Sequence, residues 1–340
     1  MSKKIKVGIM GVTGYSGTEL LRLLLRHQQI EIVALFSSSR AGERFEKADL
    51  SFLPWSDRLP TLIGETETPE LDCLFTATPN GIAGEIADAW LRRGAKLIDL
   101  AADFRLKSAT TYQTWYQPLK AAEPALLGQA VYGLTELNRP QLKGAKLIAN
   151  PGCYPTAAAL SLVPLFKAGL VESDFCIVDA KSGTTGAGKK AEERLLHAEV
   201  SESFGAYGVV GHRHTPEIEQ SLALFAGKEV KVRFTPHLLP IKRGLQTTSY
   251  LKLIRGSNSD QAIGVLKESY AAEPFVHYTD RIPTTKDVTG TNHCLIHTAY
   301  DERTGLLTVI SVIDNLFKGA AGQALQNFNL AFDLVETIGL

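Results

Sequence analysis

Ile5-Lys6-Val7-Gly8-Ile9-Met10-Gly11-Val12-Thr13-Gly14-Tyr15-Ser16-Gly17 is the stretch whose reading decides the fold. Ile5–Met10 is short, apolar and rich in β-branched residues, so it reads as a buried strand. A glycine-rich turn follows, then an amphipathic segment from about Ser16 to His27. Glycines let the backbone turn tightly and approach a pyrophosphate, and a helix N-terminus offers unpaired N–H groups to anionic oxygens. The usual dinucleotide spacing, Gly-x-Gly-x-x-Gly, is altered here to Gly11-x-Thr13-Gly14-x-x-Gly17. The strand–turn–helix context favours a nucleotide site over a turn kept only for packing. Gly11, Thr13, Gly14, Tyr15, Ser16 and Gly17 are the residues expected to hold it.

The second strand, Glu31–Phe36, indicates which nucleotide. An NAD site usually has an acid at that strand's end for the ribose 2′-hydroxyl, whereas an NADP site offers cations and hydroxyls to a phosphate. Here Phe36 runs into Ser37-Ser38-Ser39-Arg40, and Glu31 lies at the wrong end of the strand. NADP(H) is the expected cofactor. Further strands are predicted at Cys73–Ala77, Lys96–Leu100 and Lys146–Ala149, with a helix over Ala83–Arg93. This alternation is that of a parallel sheet covered by helices, a Rossmann-type α/β domain.

Beyond it the texture changes. Pro155–Ala168 reads as an apolar helix that Pro164 should kink and Gly169 should end. Phe175–Ala180, Val230–Pro236, Thr247–Leu253 and Leu306–Ile313 read as longer strands of a mixed sheet. Lys318 to about Val335 returns to helical spacing and is expected to pack back on the first domain. The predicted organisation is an NADP-binding domain, 1–153 plus about 314–340, and an α+β catalytic and oligomerisation domain, about 154–313. A chain of 340 residues is long for one core, which agrees with two domains.

Lys+Arg and Asp+Glu both number 36, so net charge is zero and no basic surplus invites nucleic acid or an anionic membrane. No apolar run reaches the roughly 18 residues of a membrane helix, and the N-terminus shows no signal core, so a cytoplasmic protein is expected. Cys73, Cys153, Cys176 and Cys294 are scattered without a Cys-x-x-Cys pair, which speaks against a disulfide framework or structural zinc.

Cys153 differs from the rest. It lies in Ala149-Asn150-Pro151-Gly152-Cys153-Tyr154-Pro155-Thr156, where a strand gives way to a helix. The positive end of a helix favours a thiolate there, and Pro151-Gly152 makes a turn that exposes the sulfur. Cys73 and Cys176, inside apolar strands, read as small buried hydrophobes, as does Cys294 despite the adjacent His293. A cysteine nucleophile beside nicotinamide implies thiolate attack, a thioester, and hydride transfer at that carbon.

His212-Arg213-His214-Thr215-Pro216-Glu217 gathers proton-carrying capacity and positive charge just before a helix that Thr215 should cap. A metal set of His212, His214 and Glu217 is the competing reading, but Arg213 would repel the cation, and no metal is expected. His27, His197 and His237 carry no comparable context. Arg105, in Ile98-Asp99-Leu100-Ala101-Ala102-Asp103-Phe104-Arg105, suits a phosphate or carboxylate at a strand end, or alternatively pairs with Asp103. Lys181-Ser182-Gly183-Thr184-Thr185-Gly186-Ala187-Gly188-Lys189 is either an anion-binding loop or a flexible crossing.

Taken with Val131–Arg139, Asp179–Gly183, Phe234–Leu238 and Asp314-Asn315-Leu316-Phe317-Lys318-Gly319, these motifs resemble the N-acetyl-γ-glutamyl-phosphate reductases, relatives of aspartate-semialdehyde dehydrogenase. The resemblance implies a Rossmann domain completed by the C-terminal helix, plus an α+β domain used in homodimer or homotetramer contacts. Cys153 would form the thioester, and His212, favoured over His214, would move protons with Glu217 orienting it. Arg105, Arg213, Asn150 and Ser182 would bind the acyl phosphate substrate and inorganic phosphate; Gly183 and Asn315 would join the cofactor site. The sister reductase of an aminoadipyl phosphate differs by one methylene, worth only about 1–3 kcal/mol of discrimination. A non-catalytic NADP-binding regulator is the rival of another class. Two departures from the family pattern stand out: Asn80 where a histidine is expected, and Thr135 where proline is commoner.

Overall fold

The computed structural model describes residues 4–340, and the chain divides into two compact units. Unit 1 is Met1–Pro151 with Ala320–Leu340; unit 2 is Gly152–Gly319. The expected crossing near Asp314 thus falls six residues later, because Asp314 is anchored inside unit 2. It accepts from the guanidinium of Arg243 and from the Gly290 N–H.

Unit 1 is built on seven parallel strands, β1 (Ile5–Met10), β2 (Ile30–Phe36), β3 (Leu62–Ile63), β4 (Cys73–Thr76), β5 (Lys96–Asp99), β6 (Val131–Tyr132) and β7 (Leu147–Ala149). Their spatial order is β3-β2-β1-β4-β5-β7-β6, so the winding reverses between β1 and β4. Ligands of such sheets gather at the carboxyl ends of the strands near this reversal. Val7, Ile9, Leu74, Phe75, Leu97 and Ile98 are fully buried, as expected of strands covered on both faces. The strand expected at Glu31 starts one residue earlier, and the helix between β1 and β2 is Tyr15–Leu24 rather than running to His27.

The helix expected from Lys318 forms as a π turn, Phe317–Ala321, running into an α-helix, Gly322–Ala331. It carries four buried amides. Gln323 donates to the Gly133 carbonyl and Thr135 hydroxyl, Asn327 to the Gly133 carbonyl and Asn150 Oδ1, and Asn329 lies 3.1 Å from His27 Nε2. Thr135 also donates to Asn327 Oδ1, which explains the threonine: proline could neither donate nor accept there.

Unit 2 holds β8 (Phe175–Gly183), β9 (Gly205–Ala206), β10 (Lys231–Leu239), β11 (Leu245–Lys252), β12 (Val276–Tyr278), β13 (Cys294–Asp301) and β14 (Leu306–Ile313). They form a mixed sheet in the order β12-β13-β14-β11-β8-β10-β9, with β8/β10 and β12/β13 parallel. Burial alternates along β8 and β10, the mark of a sheet covered on one face. The Cys153–Lys167 helix packs on β11 and β14, Thr215–Ala226 on β10, and Ser259–Ser269 on β12 and β13. On the other face Phe175 and Ile177 remain 56% and 37% exposed.

Every residue from Tyr154 to Phe166 is buried, so this helix is a core element rather than an amphipathic one. It ends as expected at Gly169 (φ +67°), with Gly169 N–H on the Phe166 carbonyl and Leu170 N–H on that of Leu165. Pro164 lies inside the helix, which continues through it to Lys167. Proline leaves the Leu160 carbonyl without its usual donor, and the Tyr270 hydroxyl supplies one at 2.5 Å. Tyr270→Phe should therefore cost about 1–3 kcal/mol in urea unfolding. Pro164→Ala restores the N–H, so the tyrosine substitution should cost much less in that background.

Candidate active site

The Gly11–Gly17 turn folds as its glycines dictate. Gly11 has φ +79°, and a Cβ there would lie 2.5 Å from the Ala77 carbonyl oxygen. A Cβ on Gly17 would come 2.3 Å from the Gly11 carbonyl oxygen, so this glycine lets helix and turn close on each other. Gly14, capping the helix at φ −76°, meets nothing nearer than 3.4 Å. Neither its backbone angle nor its internal packing requires glycine. The bare backbone there suits the approach of a pyrophosphate, and this turn fits a dinucleotide. After β2, Ser37 is buried while Ser38, Ser39 and Arg40 are exposed, with Arg40 3.6 Å from Glu43.

At the carboxyl end of β5, Asp103 accepts from the Gly81 and Gly84 N–H groups and the Tyr112 hydroxyl, bracing the start of the Ile82–Arg92 helix. Asn80 accepts from the Ala102 N–H, so the residue that departs from the family pattern steadies this loop. Arg105 is buried, donating Nε to the Asn150 carbonyl and Nη2 to that of Leu100. Asp99 is fully buried, accepting from the Thr76 hydroxyl and the Ala101 N–H. Burial, with Asp103 nearby, holds its carboxyl well above the usual carboxylate range.

Cys153 is the first residue of its helix and partly exposed, while Cys73, Cys176 and Cys294 are buried. Burial pushes the Cys176 thiol up to about 12 and that of Cys73 higher still. Cys294 Sγ lies 3.3 Å from the Ser311 hydroxyl, and His293 faces His277 instead. Gly152, the N-cap, donates its N–H to Glu217 Oε1 at 2.8 Å, while its carbonyl accepts from the N–H and hydroxyl of Thr156. Against Cys153 lies a residue to which the sequence motif gave no role: a Cβ on Gly319 would sit 2.7 Å from the Cys153 Cβ.

Both histidines pack edge-on against Tyr154, each with ring centroids 5.9 Å away, and against each other at 5.0 Å. Tyr207 and Phe234 complete the cluster around His212, at 5.4 and 5.1 Å. The Tyr154 hydroxyl lies 3.4 Å from that of Tyr207 and donates to the His237 carbonyl. Burial raises both phenols, and the proximity of Cys153 raises them further, so both stay neutral. Tyr154 was legible as the neighbour of Cys153; Tyr207 and Phe234 had no motif of their own. His237, set aside on sequence, also belongs here, with Nδ1 3.1 Å from Asp179 and its ring stacked on Phe204.

His212 Nδ1 accepts from the His214 N–H at 3.1 Å, so the neutral ring carries its proton on Nε2. Burial, with the Arg213 guanidinium beside it, brings His212 down to about 4. Thr215 does not cap its helix but begins it; its N–H already bonds the His212 carbonyl, and His214 takes the cap position with helical angles. Arg213 is exposed.

Four expected binders are engaged internally instead. Asn150 is fully buried, donating to the Ala320 carbonyl and accepting from Asn327, and so fastens the C-terminal helix rather than substrate. Asn315 donates to the Thr185 hydroxyl and accepts from the Gly244 N–H. A Cβ on Gly183 would meet the Ile241–Lys242 backbone at 2.8 Å, so its glycine answers to packing. Ser182 is buried, its hydroxyl donating to the Gly183 carbonyl. Thr184 and Thr185 bond the Ile241 and Lys242 carbonyls, which makes this segment a tied turn rather than a flexible crossing.

Comparison with known proteins places the chain in a class and then in a family. Residues 6–145 match the semialdehyde dehydrogenase NAD binding domain and residues 153–315 the semialdehyde dehydrogenase dimerisation domain. The fold is similar to aspartate semialdehyde dehydrogenase II of Vibrio cholerae complexed with ASA (TM-score 0.73, 17% identity, 98% of this chain and 99% of that one). It is also similar to the aspartate semialdehyde dehydrogenase of Candida albicans with NADP (TM-score 0.71, 16% identity, 98% and 100%). N-acetyl-gamma-glutamyl-phosphate reductases of Symbiobacterium thermophilum and Moorella thermoacetica are each 47% identical over 99% of this chain, covering 97% and 98% of their own lengths. The chain belongs to the N-acetyl-γ-glutamyl-phosphate reductase family, and it is an oxidoreductase with an NAD(P)-binding domain. Among the described residues no helix is long and apolar enough to cross a membrane.

Two outcomes follow. His212 is lowered in the fold from 6.5 to about 4, so between those values the unfolded chain binds a proton that the folded chain refuses. Its share of the stability is full above about 6.5 and falls with pH down to about 4. His212→Asn should flatten that part of the slope in denaturant titrations at stepped pH. Gly319→Ala should force the Cys153 turn to shift, costing about 1–3 kcal/mol of stability and slowing alkylation of Cys153 by iodoacetamide.

Proposed function

We propose that the protein uses NADPH to reduce N-acetyl-γ-glutamyl phosphate to N-acetylglutamate 5-semialdehyde, releasing phosphate, through a thioester on Cys153. The observation that carries this reading is a partly exposed cysteine starting a buried helix, with two histidines packed on the very next side chain. The relatives' names support the glutamyl substrate over its longer homologue.

The Gly11–Gly17 turn holds the pyrophosphate on helix N–H groups, and Ser38, Ser39 and Arg40, with no acid at the end of β2, hold a 2′-phosphate. When bound, the dihydronicotinamide supplies a hydride. The remaining work belongs to side chains. His214 takes the thiol proton, and the sulfur of Cys153 adds to the acyl carbon. The carbon–oxygen bond to phosphate breaks, and phosphate takes its proton from solvent. After reduction the carbon–sulfur bond breaks, the aldehyde leaves, and His214 returns its proton to the sulfur. His212, favoured on sequence for this traffic, is better suited to donating a fixed Nε2–H to an oxygen, because its Nδ1 is occupied by the His214 N–H.

The uncovered sheet face bearing Phe175 and Ile177 serves a homodimer contact, consistent with the matched dimerisation domain. Four free cysteines suit the reducing cytoplasm.

The direct test runs the reaction backwards, with N-acetylglutamate semialdehyde, phosphate and NADP. Wild type should reduce NADP only when phosphate is present, and Cys153→Ser should lose about three orders of magnitude or more. His214→Asn should lower kcat about 10²–10⁴-fold. Retained activity in the serine variant would refute the thioester.

A further inference from the structure

The bond from the Gly152 N–H to Glu217 Oε1 joins a buried acid to the residue immediately before the nucleophile. Family resemblance assigns Glu217 to a histidine, and this bond makes it a partner of the Cys153 helix as well. Glu217 lies in the first turn of the Thr215–Ala226 helix, which packs against the Cys153–Lys167 helix. Two opposing fields therefore meet at the sulfur. The helix N-terminus favours the thiolate, and a carboxylate on the cap amide opposes it.

We propose that Glu217 is a positioning residue that fixes the Gly152 cap and, by its charge, keeps Cys153 a thiol until the proton carrier removes its proton. This rests on Cys153 being the nucleophile. A thiol whose ionisation lies near ambient pH attacks best, since a more acidic one makes a weaker nucleophile. The acid thus offsets the helix end at the sulfur. The other titratable or charged groups around this turn do not supply the effect. Tyr154 and Tyr207 are raised by burial and His212 is lowered; Arg213, Arg194 beside Tyr207, and the buried Lys318 next to Gly319 bear charge of the opposite sign, and Asp314 is paired with Arg243. His214, the proton carrier, is present unchanged in every variant compared below.

The test reads the pH profile of Cys153 alkylation by iodoacetamide, followed by peptide mass, in the full chain without substrate. Cys73, Cys176 and Cys294 are buried and act as internal reporters of unfolding, because they label only if the fold opens. Glu217→Gln keeps an acceptor for the Gly152 N–H and removes the charge, so the alkylation midpoint should fall by about one pH unit or more. Glu217→Asp keeps the charge but shortens the reach. Its midpoint should stay near wild type while its melting temperature drops. A Gln variant with an unchanged or raised midpoint overturns the proposal, as does an Asp variant whose midpoint falls as far as that of Gln. Should the Gln variant label at all four cysteines, the Asp variant alone decides, by whether its midpoint holds. No step of this needs turnover, so a chain without reductase activity could still show the shift, and the two readings fail separately.

Discussion

Gly152 is held at both polar ends, its N–H by Glu217 and its carbonyl by Thr156, and the position of Cys153 follows from that pair of bonds. A helix start normally leaves its first N–H groups to water or a capping side chain, and glycine has no side chain to offer. Here the cap is supplied from another helix. That arrangement ties the start of the Cys153 helix to the helix that follows His212 and His214. Gly319 sets the limit from below, since nothing larger than a hydrogen fits against the Cys153 Cβ.

In unit 1 the corresponding constraint is polar satisfaction in a dry interior. Gln323, Asn327, Thr135 and Asn150 are all fully buried, and each finds partners within the group or on backbone carbonyls. Buried amides left unpaired would cost more than they contribute, so the network holds only when complete. Its members come from distant parts of the chain, which is how the C-terminal helix is docked in one register. Asp103 works similarly for the Arg105 loop, distributing its two oxygens over Gly81, Gly84 and Tyr112.

Much of this was legible in the sequence where the signal is local. Ile5–Met10 and Leu306–Ile313 have the bounds read from their apolar patterning, and Gly169 ends its helix as a left-handed glycine should. The special setting of Cys153 followed from a strand, a Pro-Gly turn and an apolar helix in succession. What escaped was whatever depends on partners far along the chain. Asn150 looked like a ligand because it stands beside the nucleophile, yet its amide is claimed by residues some 170 positions away. The same holds for the Gly244 amide on Asn315 and the Ile241–Lys242 backbone against Gly183, contacts that no local motif announces. What distinguishes the two histidines is one ring nitrogen, the His212 Nδ1 that accepts the His214 N–H, and composition carries no trace of that.

Pro164 and Tyr270 share a single carbonyl, that of Leu160, and so constrain the history open to either. While proline stands at 164 the phenol stabilises the fold, and a lineage that lost the hydroxyl first would pass through a weakened one. Regaining a backbone donor at 164 first makes the tyrosine dispensable. The same two exchanges thus lead to one endpoint by an easy route and a hard one, and the order of events decides which ancestors were viable.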